Sequence, residues 1–163
     1  MFTRRTKRLP SAPTPFETPT SVLEVPDPFV VVDATDLQIL ENILSDSRSV
    51  VSFDTETIGC DPRSEQPRFR ARATSCQFSL QGYPRIYLDN YQENAGRIKA
   101  IKRWAEDPNK PKVGHNIKYD LHTLSNHGIY MKGVVGDTLG MDYLLDTSAK
   151  GEHDLETCIE RWN

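Results

Sequence analysis

Cysteine, tryptophan and long apolar runs are all scarce in this chain, and each scarcity removes a class of protein. Three cysteines (Cys60, Cys76 and Cys158) in 163 residues fit neither a disulfide framework nor a Cys-x-x-Cys zinc pattern. They read as reduced thiols of a cytoplasmic protein. No apolar stretch approaches the roughly 20 residues of a membrane helix, so no membrane is expected as a partner. Basic excess is missing too. A net charge of −3 argues against holding nucleic acid by bulk electrostatics alone, but it leaves room for a protein whose bound metal ions offset its own acids.

What is present is an ordinary globular composition, 37% apolar and 26% charged, long enough for one domain with a sizeable core. Proline is unevenly spread: six of the eleven fall within residues 1–28, in LPSAPTPFETP and VPDP. Such a segment buries too little apolar surface to offset its ordering entropy, so 1–28 is expected to be a flexible leader. MFTRRTKRLP is basic and free of acids, as organelle-targeting leaders are. The prolines behind it are a poor basis for an amphipathic targeting helix, and an exposed, solvated arm is the reading taken.

From Phe29 the patterns become those of a folded domain, 29–163. A strand over Phe29–Val32 precedes a helix capped by Thr35 or Asp36, with Leu37, Leu40, Ile43 and Leu44 inward. Ser49–Phe53 reads as a strand, 59–72 as a long polar loop with Arg63, Arg68, Arg70 and Arg72, Ala73–Leu80 as a strand, and Arg85–Leu88 as its hairpin partner across Gln81-Gly82. NAGRIKAIKRWAED spaces Ile98, Ile101 and Trp104 or Ala105 along one helical face. KPKVGH is a brief strand, IKYDLHTLSNHG a helix stopped by Gly128, and DTLGMDYLLD and EHDLETCIERWN two further helices. Three strands followed by alternating helix and strand predict an α/β sheet, antiparallel at one edge and parallel at the other, with helices flanking it.

Two acids stand out in VVSFDTETIGC. Asp54 and Glu56 are one residue apart at the end of a strand of β-branched residues, so both project from one side while Thr55 faces away. In GHNIKYDLHTL, Asn116 and Asp120 lie one helical turn apart on one face, and Gly114 permits a close backbone approach just before them. Three carboxylates on two rigid elements suit hard divalent cations, Mg2+ or Mn2+. Two such ions roughly 3.5–4 Å apart would serve phosphodiester hydrolysis. The bland alternative makes Asp54 a strand-end cap, Glu56 a solvated acid and Asn116 a helix cap.

FDTET followed by GHNIKYD resembles the first two motifs of the DEDD 3′→5′ exonucleases, which have a ribonuclease H-like fold. The likeness is greatest to the proofreading domain of family A DNA polymerases, of DNA polymerase I type. GDTLGMDYLLDTSAKGEHDLETCIERW is similar to the stretch behind the second motif in that family, so the resemblance covers 29–163. It implies a mixed sheet with an antiparallel hairpin plus parallel strands. Asp54, Glu56 and Asp120 would be both catalytic residues and ligands of two metal ions. Thr57, His115, Asn116 and Tyr119 would line the groove for a 3′-terminal nucleotide, and Asp137 would be structural. Single-stranded DNA 3′ ends and a polymerase domain or chain are the implied partners. The family's third motif, Y-x-x-x-D or H-x-x-x-D, falls beyond Asn163, so a domain incomplete at its C-terminus is expected, with doubtful activity as it stands. The alternatives are a nucleic-acid-binding or polymerase-associated module without turnover, and an RNA-trimming exonuclease of ribonuclease D type.

Overall fold

The computed structural model describes residues 27–67, 69–89, 97–147 and 152–162. The expected leader lies, up to residue 26, outside the described residues, as does Arg68. Strand β1 (Phe29–Val31) opens the domain and runs into α1 (Ala34–Asp46). The cap is neither Thr35 nor Asp36 but Asp33: its carboxylate accepts the N–H groups of Thr35 at 2.8 Å and Asp36 at 2.9 Å, and Asp36 returns the bond to Asp33 N–H. Two acids thus close a reciprocal capping box in which each meets backbone donors that the helix cannot satisfy.

Next come β2 (Val51–Ile58), β3 (Arg72–Ser79) and β4 (Ile86–Asp89), then a short 3-10 turn (Arg97–Ile101) leading into α2 (Lys102–Glu106). The single helix expected from NAGRIKAIKRWAED is therefore split, yet Ile98, Ile101, Trp104 and Ala105 are all buried as its spacing requires. Strand β5 (Lys112–Gly114), α3 (Ile117–Ser125), β6 (Val134–Asp137), α4 (Thr138–Leu145) and α5 (Leu155–Trp162) complete the order. The sequence reading missed β6. Its two valines are both exposed, so it carries no alternation to reveal it.

The strands form one mixed sheet in the order β1-β4-β3-β2-β5-β6. Strand β3 is antiparallel to both β2 and β4, while β1 pairs parallel to β4, β5 to β2, and β6 to β5. The antiparallel ladder is internal, and both edges are parallel. The expectation of an antiparallel edge fails at β1, because α1 crosses the sheet and returns the chain in the same direction as β1.

The core lies on one face of the sheet, where residues of α1, α2 and α3 meet alternate residues of the strands. Phe53, Phe78 and Trp104 form its centre, with ring centroids 5.4–5.7 Å apart. Burying each such side chain contributes about 1.5–3 kcal/mol. On the other face Val30, Ser52, Asp54, Glu56, Gln77 and Ser79 are exposed. No helix among the described residues is long and apolar enough to cross a membrane.

Candidate active site

Strand β2 outruns its parallel neighbour. Pairing with β5 ends at Ser52↔Val113, whereas β2 continues to Ile58 against β3. Beyond Gly114 the chain turns from β5 into α3, and the turn is tight: a Cβ on Gly114 would lie 3.0 Å from the carbonyl oxygen of Phe53. A crevice at the carboxyl end of the strands results, the usual location of sites in open α/β sheets. Asp54 and Glu56 therefore lie within β2 rather than at its end, and both are exposed while Thr55 is buried, as strand alternation requires.

From the other side α3 brings Asp120, 2% exposed, to the unpaired edge of β2. Thr55 gives it two hydrogen bonds, from its backbone N–H at 2.9 Å and its hydroxyl at 2.6 Å, both to Oδ1. This residue carried no assignment in the sequence reading. One signal was available: alternation puts Thr55 in the core, where a hydroxyl needs a partner.

The three acids are linked electrically. Burial, above all, pushes the Asp120 carboxyl up to about 7; the Thr55 hydrogen bonds oppose the shift and the Asp54 charge adds to it. Asp54 is raised as well, by partial desolvation and by its repulsion from Glu56. Glu56 accepts a hydrogen bond from Gln77 Nε2 at 3.3 Å. Among the described residues no three Asp, Glu, His or Cys side chains already converge on one ion-sized point.

The remaining candidates divide into pairs. Thr57 Oγ1 and Tyr119 OH are 2.8 Å apart, tying the strand end to α3. His115 Nδ1 lies 2.9 Å from Thr138 Oγ1, which ties it to the first turn of α4. Asn116 sits in the left-handed region, φ 55°, and its side chain makes no capping bond, which removes the cap explanation for it. Its backbone N–H donates instead to Asp137 Oδ1 at 2.8 Å, and the same oxygen caps α4 through Leu139 N–H. Asp137 thus holds a strained backbone in place. Two concavities flank these groups: one of about 360 Å³ on the open sheet face, reaching Asp54, and one of about 370 Å³ beside Asn116 and Tyr119.

Two further histidines each have a partner of their own. His127 Nε2 accepts the Ala73 N–H at 3.0 Å, and His153 Nδ1 lies 2.6 Å from Asp142 Oδ2. Cys76 is fully buried, and burial pushes its thiol up, away from the thiolate that a metal would need.

Comparison with known proteins gives the family and the fold. The profile of a 3′–5′ exonuclease family matches residues 28–163. DNA polymerase I of Pseudomonas aeruginosa is 29% identical over 113 residues, and DNA polymerase I A, chloroplastic/mitochondrial, of Arabidopsis thaliana is 33% identical over 119. Each alignment takes in 66% of this chain but only 12% and 11% of the relative, so the chain spans a small part of their length. Among solved structures, the catalytic core of RRP6 from Trypanosoma brucei superimposes with a TM-score of 0.66 at 20% identity, over 87% of this chain and 36% of that one. Escherichia coli RNase D gives 0.60 at 15% identity, over 84% and 33%. These likenesses carry the ribonuclease H-like fold. A family match extending from just before β1 to the end of the sequence establishes the kinship: the chain belongs to the 3′–5′ exonuclease family of DNA polymerase I type.

Proposed function

We propose that residues 29–163 act as an exonuclease domain that removes nucleotides from the 3′ end of a DNA strand, as a proofreading activity for a polymerase. The observation that carries this reading is Asp120, a buried carboxylate held by Thr55, the residue that separates Asp54 from Glu56 along β2, and raised in pKa in part by the Asp54 charge. A buried carboxylate is costly unless a cation neutralises it. The donors are all hard oxygens, and the buried thiol is out of play, so the set suits Mg2+ or Mn2+.

Asp54, Glu56 and Asp120 would hold two such ions. Bound there, the ions would supply a nucleophilic hydroxide and offset charge on the phosphate. The protein's own part is to keep Asp120 fixed against β2 through Thr55, and to place Thr57, Tyr119, Asn116 and His115 around the end of a strand. The relatives named as DNA polymerases favour DNA; the likeness to RNase D is one of fold. A polymerase domain or chain is the partner that this reading implies.

The test uses the purified protein with Mn2+. Calorimetry should detect the ion on the wild type and weaker binding on Asp54→Asn and Asp120→Asn. A 5′-labelled single strand of DNA should shorten from its 3′ end faster than the matched RNA. Metal binding without shortening would leave a nucleic-acid-binding module without turnover, and faster loss of RNA would favour an RNA-trimming enzyme. Equal Mn2+ binding by wild type and Asp54→Asn would end the metal reading.

A further inference from the structure

The arginine-rich segment between β2 and β3 is a closed clasp. Cys60 and Asp61 donate their N–H groups to Phe69 O at 3.2 and 3.0 Å, and Ala71 N–H donates to Asp61 O at 3.1 Å. Gly59, at φ 89°, makes the base narrow: a Cβ there would lie 2.6 Å from Arg70 O. Arg70 is consumed inside the loop, with Nε on Ser64 O at 2.8 Å and Nη2 on Glu65 O at 3.3 Å. From the end of α3, Asn126 Nδ2 donates to Pro62 O at 2.9 Å and Ala71 O at 3.0 Å. These bonds pin the loop to α3.

The cavity of about 370 Å³ lies between the two, lined from the loop by Cys60, Asp61 and Arg63 and from the helix by Lys118, Tyr119 and His122. Lys118 and His122 are one turn apart on a face of α3 turned away from Asp120, and Tyr119 lies between the two faces. The Lys118 ammonium makes no hydrogen bond or ion pair among the described residues. Arg63 is exposed, and its ion pair to Asp61 is long, at 3.8 Å. A chain of net charge −3 thus presents beside Tyr119 one cation without a partner, Lys118, and a second, Arg63, held only by a long ion pair to Asp61 of the same cavity. Tyr119 is hydrogen-bonded to Thr57 at the strand end.

We infer that this cavity seats the sugar–phosphate backbone of a single nucleic-acid strand, inward from its 3′ end, with Lys118 and Arg63 as the phosphate ligands. The inference rests on the exonuclease reading above and adds to it a site for the body of the strand. Arg70 is assigned no phosphate, since two of its donors tie it to Ser64 O and Glu65 O inside the clasp. Asn116 and Tyr119 line the end of the cavity nearest the strand terminus, and a strand too short to extend past them to Lys118 and Arg63 gains nothing from those two cations.

Fluorescence anisotropy with labelled DNA strands of two and eight nucleotides tests this, with Ca2+ in place of Mg2+. The double variant Lys118→Gln/Arg63→Gln should bind the octanucleotide about tenfold more weakly at low salt. The slope of log affinity against log salt should fall by about 1 to 1.5. Its dinucleotide affinity should stay within twofold of wild type, and Lys118→Arg should retain octanucleotide binding. Lys132→Gln, just before β6 at the other end of the sheet, is the charge-matched control and should behave as wild type. An octanucleotide affinity and salt slope unchanged in the double variant would overturn the cavity site alone. Equal losses for both strand lengths, or for Lys132→Gln, would reduce it to general charge and overturn it too. A wild type that binds neither strand would remove the nucleic-acid reading itself.

Discussion

Thr55 donates two hydrogen bonds, one from the backbone and one from the side chain, to a single oxygen of Asp120, 65 residues further along the chain. The hydroxyl bond is the removable one. Thr55→Val keeps the shape and the N–H but deletes the O–H donor. At pH 8, where Asp120 is charged, the metal-free variant should lose about 1–3 kcal/mol of stability by urea unfolding. At pH 5, with Asp120 protonated, the loss should be smaller. An equal loss at both pH values would show that the hydroxyl does not serve the carboxylate.

The burial of Asp120 has a consequence of opposite sign. Its folded pKa, pushed up to about 7, exceeds the ordinary 3.8, so between those values the folded chain binds more protons than the unfolded one. Stability of the metal-free protein therefore falls as pH rises from about 4 to 7, by on the order of 4 kcal/mol from this group. Asp120→Asn should flatten that slope and raise Tm at pH 8 in EDTA. Thermal unfolding between pH 4.5 and 8 is the check. A parallel pair of curves would contradict the burial argument.

Lys112 is a cation enclosed by the fold, at 0% exposure. Its Nζ donates to Lys110 O at 2.7 Å and Asp107 O at 3.0 Å, and lies 4.8 Å from the centroid of the Trp104 ring. Burial lowers its pKa to about 8, below the ordinary 10.5. Across that window the unfolded chain binds more protons, so stability should rise with pH from 8 towards 10.5. Lys112→Met should abolish the rise. At pH 7 it should also cost about 1–3 kcal/mol, since it leaves two part-buried carbonyls without their donor.

Asp142 anchors α5 to α4. Its carboxylate accepts Arg161 Nη1 at 2.7 and 2.9 Å and Trp162 Nε1 at 2.6 Å, and faces His153. These donors, led by Trp162, hold its pKa far below the usual carboxylate range. The stabilisation is complete above the unfolded pKa and is lost as pH falls through the folded one. Asp142→Ala should release α5 first. Its amides should exchange with solvent at least about tenfold faster, while those of β2 and β3 stay protected. Uniform loss of protection would mean that α5 is integral to the whole fold.

Much of this molecule could be read from local pattern. Alternation in VVSFDTETI put Asp54 and Glu56 on one side of the strand and Thr55 on the other, because a strand gives a side chain only two directions. The one-turn spacings in α1 showed which residues face the sheet for the same kind of reason, whereas Asn116 and Asp120, expected on one face, part company: Asn116 is exposed ahead of α3 and Asp120 is buried within it. The pairing of two acidic motifs pointed to the exonuclease family before any coordinate was known. Each of these depends on neighbours a few residues away, and their geometry follows from the backbone alone.

The tertiary structure decided what depends on distant partners. Asp33 and Asp36 carry the three-residue spacing of a capping box, but only the folded chain shows that Asp33, and not Thr35, accepts the first N–H groups of α1. Strand β6 is invisible locally because it borrows its order from β5. Asp120 owes its raised pKa chiefly to burial by the folded chain, and only secondarily to the neighbouring acid, and Thr55 gains its role only when α3 closes on the unpaired edge of β2. The arginines of 59–72, alike in sequence, diverge once folded: Arg70 locks the loop, and Arg63 faces a cavity. Sequence conveys which side of an element a group occupies; what stands opposite it, and how much water remains between, is settled only by packing.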